Sequence, residues 1–465
     1  MIAFLKRKKA VVTLLDYILF MNSHSLEYLC LTINPCARML QLDTRGRGEM
    51  KQFVTRYMGA LEFQDYRWLW FAAMSGASAY WALIVARGVL VLEMSGSSGM
   101  VGIVTFAAMA PRFIIPPVAG YLADRFNRKD VLATVYWLNS GTTILLAGLA
   151  FANVLDLWHL MALSVLNGSA RTFQMTSTAA LVPNLVPRER LLNAVSLNTA
   201  TQQGSRLFGP GLIAPMLIFY GPDAAFMLSA GFYALGLIMV SRIQTQSTGD
   251  VRAGTSMLGS LGSAAVVVYR NPKLRVLFII VAMHCSMTMS FESMLPIFSR
   301  DVLGSGNAGV SYLMMSVGAG GLASALFIAG VQDERVRGRL LLMAGVLSGC
   351  SMIVLAASPN ILLACLSAAV MGASQAAFMT LIAAMVQMMA PDAMRGRISG
   401  LNQINIGGTM ALVNLGNGFI ADLVGSTAVL TSLGVGFMVV MLLSLMVATL
   451  RNVYSRGVPI SDAAA

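Results

Sequence analysis

From about Trp68 to Leu450 the chain alternates between apolar blocks of about twenty or more residues and short polar connections. A block of that length is what a helix needs to cross a ~30 Å hydrocarbon core at about 1.5 Å per residue. The pattern predicts twelve spans, here numbered 1–12. They cover 67–92, 98–122, 131–152, 157–182, 192–218 and 223–242 in a first half, and 274–299, 308–331, 339–357, 360–389, 397–421 and 427–450 in a second. The fold class expected is an all-α membrane protein with twelve transmembrane helices in two pseudo-symmetric six-helix bundles. Its divisions are an extension (1–65), a first bundle (66–242), a cytoplasmic linker (243–273), a second bundle (274–450) and a cytoplasmic tail (451–465). The linker contains an amphipathic stretch around Met257–Tyr269.

In the extension, Lys6–Lys9 precede an apolar run from Val11 to about Ile33 that is interrupted by Asp16, Asn22, His24 and Glu27. Those groups are costly in lipid, so the run is not read as a thirteenth span. It is either a peripheral segment or the product of a start codon placed upstream of Met50.

Loop charge gives an independent test, because Lys and Arg accumulate on the cytoplasmic side. One set of alternate connections holds Arg125, Arg128 and Lys129, then Arg188 and Arg190, then Arg252, Arg270, Lys273 and Arg275, then Arg335, Arg337 and Arg339, then Arg395 and Arg397. The other set carries Glu93, Asp156, Asp223 and Asp422, with Arg300 beside Asp301. Both termini are therefore expected in the cytoplasm, and the protein in a bacterial inner membrane.

Composition agrees. Hydrophobic residues make up 57% and charged residues 11%, against roughly a quarter charged in soluble domains. The net charge of +12 is dispersed among loops, which argues against nucleic acid as a partner. Five cysteines show no CxxC spacing, so neither a disulfide framework nor a metal site is expected, and no cofactor. A membrane enzyme or sensor finds no support: there is no Walker-type Gly-Lys-Ser, no HExxH and no GxSxG beside a triad.

The halves repeat. A shift of 204 positions (372 minus 168) aligns Gly168 with Gly372, Met175 with Met379, Thr176 with Thr380, Pro187 with Pro391, Leu197 with Leu401 and Asn198 with Asn402. Spans 4–5 and 10–11 are read as copies in the same orientation, as in rocker-type transporters.

Between spans 2 and 3 the chain reads Gly120-Tyr-Leu-Ala-Asp124-Arg125-Phe-Asn127-Arg128-Lys129. This resembles the signature loop of the major facilitator superfamily, Gly-x-Leu-Ala-Asp-Arg-x-Gly-Arg-Lys, with Asn127 where Gly is usual. Asn tolerates the left-handed conformation expected of that Gly. The resemblance implies a conformational latch of Gly120, Asp124, Arg125, Arg128 and Lys129, with Asp124 set against the positive N-terminus of span 11. Span 5 carries Gly204-Ser-Arg206-Leu-Phe-Gly209-Pro210-Gly211, similar to the Gly-Pro motif of exporter-type members, although Ile213 and Ala214 stand where Gly-Gly is common. Gly209, Pro210 and Gly211 are read as a hinge. The stretch Leu181–Asn198 resembles the bacterial exporter branch that includes the enterobactin exporter.

Charges inside spans usually face a cavity. Arg112, Arg171 and Arg206 fall near mid-membrane in the first half, suited to an anionic or catechol-like substrate. Gln174, Asn198, Gln202, Gln375, Asn402, Gln403 and Asn405 complete the candidate lining, and Glu292 and His284 on span 7 are candidates for proton coupling. The function expected is proton-coupled efflux of a small organic molecule, siderophore-like, drug-like or a metabolite, by alternating access. The partners expected are the lipid bilayer, a small-molecule substrate and protons, with the chain acting as a monomer. An importer or facilitator on the same fold stays open, because fold does not set direction.

Overall fold

The computed structural model describes residues 58–187, 190–247, 257–329, 331, 333–391 and 394–457. The segment proposed to precede Met50 lies outside them. Among the described residues every regular element is a helix. Span 1 is Gln64–Ser95, span 2 is split into Ser98–Met109 and Pro111–Arg125, span 3 is Arg128–Phe151, span 4 Leu157–Leu185, span 5 Leu191–Phe219 and span 6 Pro222–Ser241. In the second half span 7 is split into Pro272–Met287 and the short piece Leu295–Val302. Spans 8 to 12 are Gly306–Ala329, Glu334–Ala356, Ile361–Met389, Arg395–Val424 and Ser426–Ser444.

Seven of the described helices are long and apolar enough to cross a membrane on their own: spans 1, 3, 6, 8, 9, 10 and 12. The other five are split or carry the polar residues of the interior. The starts are capped as the residues dictate. Asn271 accepts from the Lys273 and Leu274 amides ahead of Pro272, Asp333 from Arg335 and Val336, and Asn360 from Leu363. Gly96, at φ 66°, closes span 1 in the left-handed region that an L side chain disfavours.

The two halves are built alike. Spans 4 and 10 each run 29 residues and are offset by 204 at both ends (361 minus 157, 389 minus 185). A Cβ on Gly168 of span 4 would stand 2.0 Å from the Ala108 carbonyl oxygen of span 2, and one on Gly372 of span 10 the same 2.0 Å from the Val317 carbonyl of span 8. The repeat found in the sequence is therefore a repeated backbone contact. Spans 3 and 6, and their counterparts 9 and 12, pair on the outside. They leave Trp137, Ile144, Leu145, Leu442 and Leu443 exposed, as lipid-facing surface requires. The halves meet along spans 2 and 11 and along spans 5 and 8.

Several expectations change. Span 7 is not one helix: it breaks at 288–294. A break at membrane depth leaves backbone groups that lipid cannot satisfy. Here Gln375 donates to the Thr288 carbonyl, Asn417 donates to the Ser290 carbonyl at 2.7 Å, and Asn414 accepts from the Ser293 amide at 3.2 Å. Span 12 ends at Ser444, ahead of a separate helix Ala448–Arg456, because the polar Arg-Asn-Val-Tyr-Ser-Arg sequence cannot continue in lipid. Asn127 is not left-handed. At φ −60° and ψ 118° it is the extended N-cap of span 3, and its side chain accepts from the Lys129 amide. Ahead of span 1 the turn Gly59–Glu62 packs on span 5, with the Ala60 amide donating to Asn193 Oδ1 at 2.7 Å. The amphipathic linker helix spans Met257–Arg270.

Candidate functional site

Span 1 is buried along most of its length, and its aromatic pair Tyr80–Trp81 forms the centre of the site. Three arginines from three other helices converge on this pair. Arg112 follows the break at Ala110–Pro111 in span 2, and its Nη2 donates to the Tyr80 hydroxyl at 2.7 Å. Arg171 of span 4 lies 5.1 Å from the Tyr80 ring centre and donates to Gln174 Oε1 at 3.1 Å and Gln202 Oε1 at 3.0 Å. Arg206 of span 5 lies 4.1 Å from the Trp81 ring centre. Aromatic faces offer a guanidinium electrostatic attraction where water is excluded, about 0.5–2 kcal/mol each.

The second half contributes one carboxylate. Glu292 sits in the break of span 7, 5% exposed, with an oxygen 3.6 Å from Arg206 Nη2. That separation is a charge contact beyond hydrogen-bonding distance, and both Glu292 oxygens are buried without a hydrogen-bond partner. Gly318 of span 8 permits this meeting, since a Cβ there would lie 2.9 Å from Arg206 Cβ and 2.5 Å from the Leu207 amide.

Of the residues singled out from sequence, Arg112, Arg171, Gln174, Gln202, Arg206 and Glu292 come together. Gln174 also donates to the Tyr136 hydroxyl at 2.7 Å, in space left open by Gly76. The others lie elsewhere. Gln375 supports the span 7 break, and Asn405 donates to the Phe278 carbonyl at 3.0 Å. Asn402 is buried and Gln403 exposed. Asn198 lines a small pocket beside Tyr66 and Trp70. His284 stacks on Phe378 at 4.2 Å, edge-on to Phe437, with Nε2 3.3 Å from Ser348 Oγ, all within the second half. Span 5 runs as a helix through Pro210; a Cβ on Gly209 would stand 2.4 Å from the Ser78 carbonyl, and one on Gly211 3.2 Å from Met315. In the loop between spans 2 and 3, the side chains at Gly120 and Asp124 lie outside the described residues, and Arg125 is exposed. Arg128 donates to the Ala180 carbonyl at 2.9 Å and to Ser247 at 3.2 Å, and the Lys129 amide donates to Asn127.

Sequence reasoning missed Arg87, which the same criterion marks, since it too is a charge inside an apolar run. It is 4% exposed on span 1 and donates to Asn167, which in turn donates to Asn139 at 2.9 Å and Thr142 at 2.7 Å. It also missed a contact between the halves at the end carrying the acidic loops. There the Asp422 carboxylate accepts from the Ser97 hydroxyl, the Ser98 amide at 2.6 Å and the Gly99 amide at 2.9 Å. Nearby, Asn307 donates to Glu93 at 2.6 Å.

Comparison with known proteins places this geometry. Residues 57–459 match the family described as transmembrane secretion effector. The multidrug efflux pump Tap of Mycolicibacterium fortuitum is 25% identical over 340 residues, 71% of this chain and 83% of the pump. Macrolide efflux protein A of Streptococcus pyogenes is 20% identical over 238 residues, 51% of this chain and 59% of that protein. Among solved structures, the nucleoside transporter NupG superposes with a TM-score of 0.65 at 13% identity, over 82% of this chain and 98% of that one. A POT family transporter superposes with a TM-score of 0.64 at 13% identity, over 82% and 95%. The chain belongs to the transmembrane secretion effector family and is a multi-pass membrane transporter of the exporter branch of the major facilitator superfamily.

Proposed function

We propose that this transporter exports a small organic molecule across a bacterial inner membrane, driven by protons, through alternating access between bundles 66–242 and 274–450 joined by the linker 243–273. Relatives named as multidrug and macrolide efflux pumps support export and a bulky organic substrate.

The observation that carries the reading is the buried Arg206–Glu292 pair, which bridges the two halves beside the aromatic pair. At 3.6 Å and an effective dielectric of about 20 the attraction is roughly 4–5 kcal/mol before desolvation, so its loss changes a conformational equilibrium by orders of magnitude. A proton taken by Glu292 removes the carboxylate charge and releases span 5 from the span 7 break. His284, shut in its aromatic pocket, offers no such bridge.

The positive-inside rule assigns the acidic-loop end to the outside and both termini to the cytoplasm. The Asp422 and Glu93 contacts then seal the outer end, which supports a resting state that takes substrate from within. The loop Gly120–Lys129 serves as the latch of the opposite end. Arg128, bonded to span 4 and to Ser247, ties that loop to the first bundle so that they move as one body.

Inverted membrane vesicles under an imposed pH gradient test the proposal, with an anionic dye, a neutral dye and a macrolide as probes. Wild type accumulates probe, and Glu292→Gln at equal abundance loses about tenfold or more of the rate, as expected for removal of a buried charge partner. Gradient-driven loss of probe from the vesicles would make the chain an importer. Unaltered accumulation by Glu292→Gln would exclude Glu292 as the proton carrier.

A further inference from the structure

We infer that the transported molecule is an amphipathic organic anion whose charged group docks at Arg112. The inference rests on the site proposed above lying on the transport path, though not on the direction of transport.

Inside the spans the chain places Arg87, Arg112, Arg171 and Arg206, whereas among the described residues every carboxylate other than Glu292 lies in a loop or within a few residues of a span end. Four guanidinium groups less one carboxylate leave an excess of three positive charges. Glu292 contacts Arg206, and its single charge is shared in the field with Arg112. The hydrogen-bond partners of the rest are neutral: Asn167 for Arg87, the Tyr80 hydroxyl for Arg112, and Gln174 and Gln202 for Arg171. The Nε atoms of Arg87, Arg171 and Arg206 are each buried with no hydrogen-bond partner. Neutral acceptors and aromatic faces make such charges tolerable but do not neutralise them, and buried charge in proteins is ordinarily paired.

Geometry selects Arg112 as the contact. Arg87 and Arg171 are almost wholly enclosed, at 4% and 3% exposure, whereas Arg112 is half-buried and held by one hydrogen bond. Tyr80, which orients it, is itself flanked by Arg171. The same tyrosine also lines a cleft between spans 1 and 2 whose walls include Ile84, Val101, Val104 and Met109, with Arg87 among its lining. A ligand anionic at one end and apolar along its body matches both surfaces: its charge meets Arg112, where a planar carboxylate accepts two parallel N–H bonds, and its body lies along the aliphatic wall. A cation placed there would meet the uncompensated positive field.

The full-length protein in detergent tests this with three probes of one shape: 1-naphthoate, its neutral amide, and 1-naphthylmethylammonium. Thermal stabilisation and quenching of tryptophan fluorescence report binding. The expected result is saturable binding of 1-naphthoate at least about tenfold tighter than either comparator, a preference lost in Arg112→Gln and only partly restored in Arg112→Lys, which keeps the charge without the paired N–H bonds. Tighter or equal binding of the amide or the ammonium by wild type, an unchanged preference in Arg112→Gln, or binding of none of the three would each overturn the inference. Transport separates the two readings. If macrolide accumulation in inverted vesicles persists while 1-naphthoate fails to bind, the charge inference falls and export stands. If 1-naphthoate binds through Arg112 and no probe is exported, export falls and the anion site stands.

Discussion

Replacing Asp422 with Asn isolates the contact that joins the halves at the acidic-loop end. The carboxylate accepts from the Ser97 hydroxyl and from the Ser98 and Gly99 amides, at the N-terminus of a twelve-residue helix in the opposite half. Asn keeps one acceptor oxygen, loses the charge, and points an amide donor at amide donors. Hydrogen bonds to a charged acceptor contribute about 1.5–3 kcal/mol each when buried, and a charge at a helix N-terminus adds about 0.3–1 kcal/mol. Asp422 is exposed, so water screens both effects, and a net loss of about 1–2 kcal/mol is the realistic figure. That corresponds to a five- to thirtyfold shift, on the order of RT ln K, toward separation of the two halves at this end. Spin labels on the exposed residues Val154 and Val424, read by double electron–electron resonance, measure the separation directly. Asp422→Asn is expected to raise the long-distance population severalfold, and Asp422→Glu to raise it less. Identical distance distributions in Asp422→Asn and wild type would refute the reasoning, because the contact would then hold nothing.

Three further outcomes follow from the packing. Gly168→Ala and Gly372→Ala each force a Cβ toward a carbonyl 2.0 Å away, so both should lower the melting temperature by an amount corresponding to about 1–3 kcal/mol, and similar losses at the two sites would report the pseudo-symmetry. His284→Phe replaces a ring stacked on Phe378 and edge-on to Phe437 whose polar contact is with Ser348; pH-gradient-driven transport should stay within about twofold of wild type, and its abolition would return His284 to the proton path. Asp65 accepts from the Gln244 and Thr245 amides and the Thr245 hydroxyl, fastening the start of the linker to span 1. Asp65→Ala should therefore cost about 1–2 kcal/mol of stability and raise hydrogen exchange at 243–247, and unchanged exchange would count against that tether.

Membrane insertion is scored along the chain, one helix length at a time, and what depends on that score was legible in the sequence. The spans, the basic and acidic sides, the linker helix and the 204-residue repeat all follow from local hydropathy and loop charge. Arg112, Arg171, Arg206 and Glu292 stood out for the same reason, since a charge in an apolar run is conspicuous without any knowledge of its neighbours, and Arg87 carried that signal equally. What these groups touch was not legible. Tyr80 and Trp81 are two among 12 tyrosines and 5 tryptophans, and only the rotation of span 1 against spans 2, 4 and 5 brings three guanidinium groups to them. The break in span 7 depends on Gln375, Asn414 and Asn417 arriving from two other helices to satisfy its backbone. The span 2 helix start is likewise capped by a carboxylate more than three hundred residues away in sequence, at Asp422. Hydropathy decides that a segment enters the bilayer; which face it turns, and to which partner, is decided by packing between helices distant in the chain, and the tertiary structure alone records that choice.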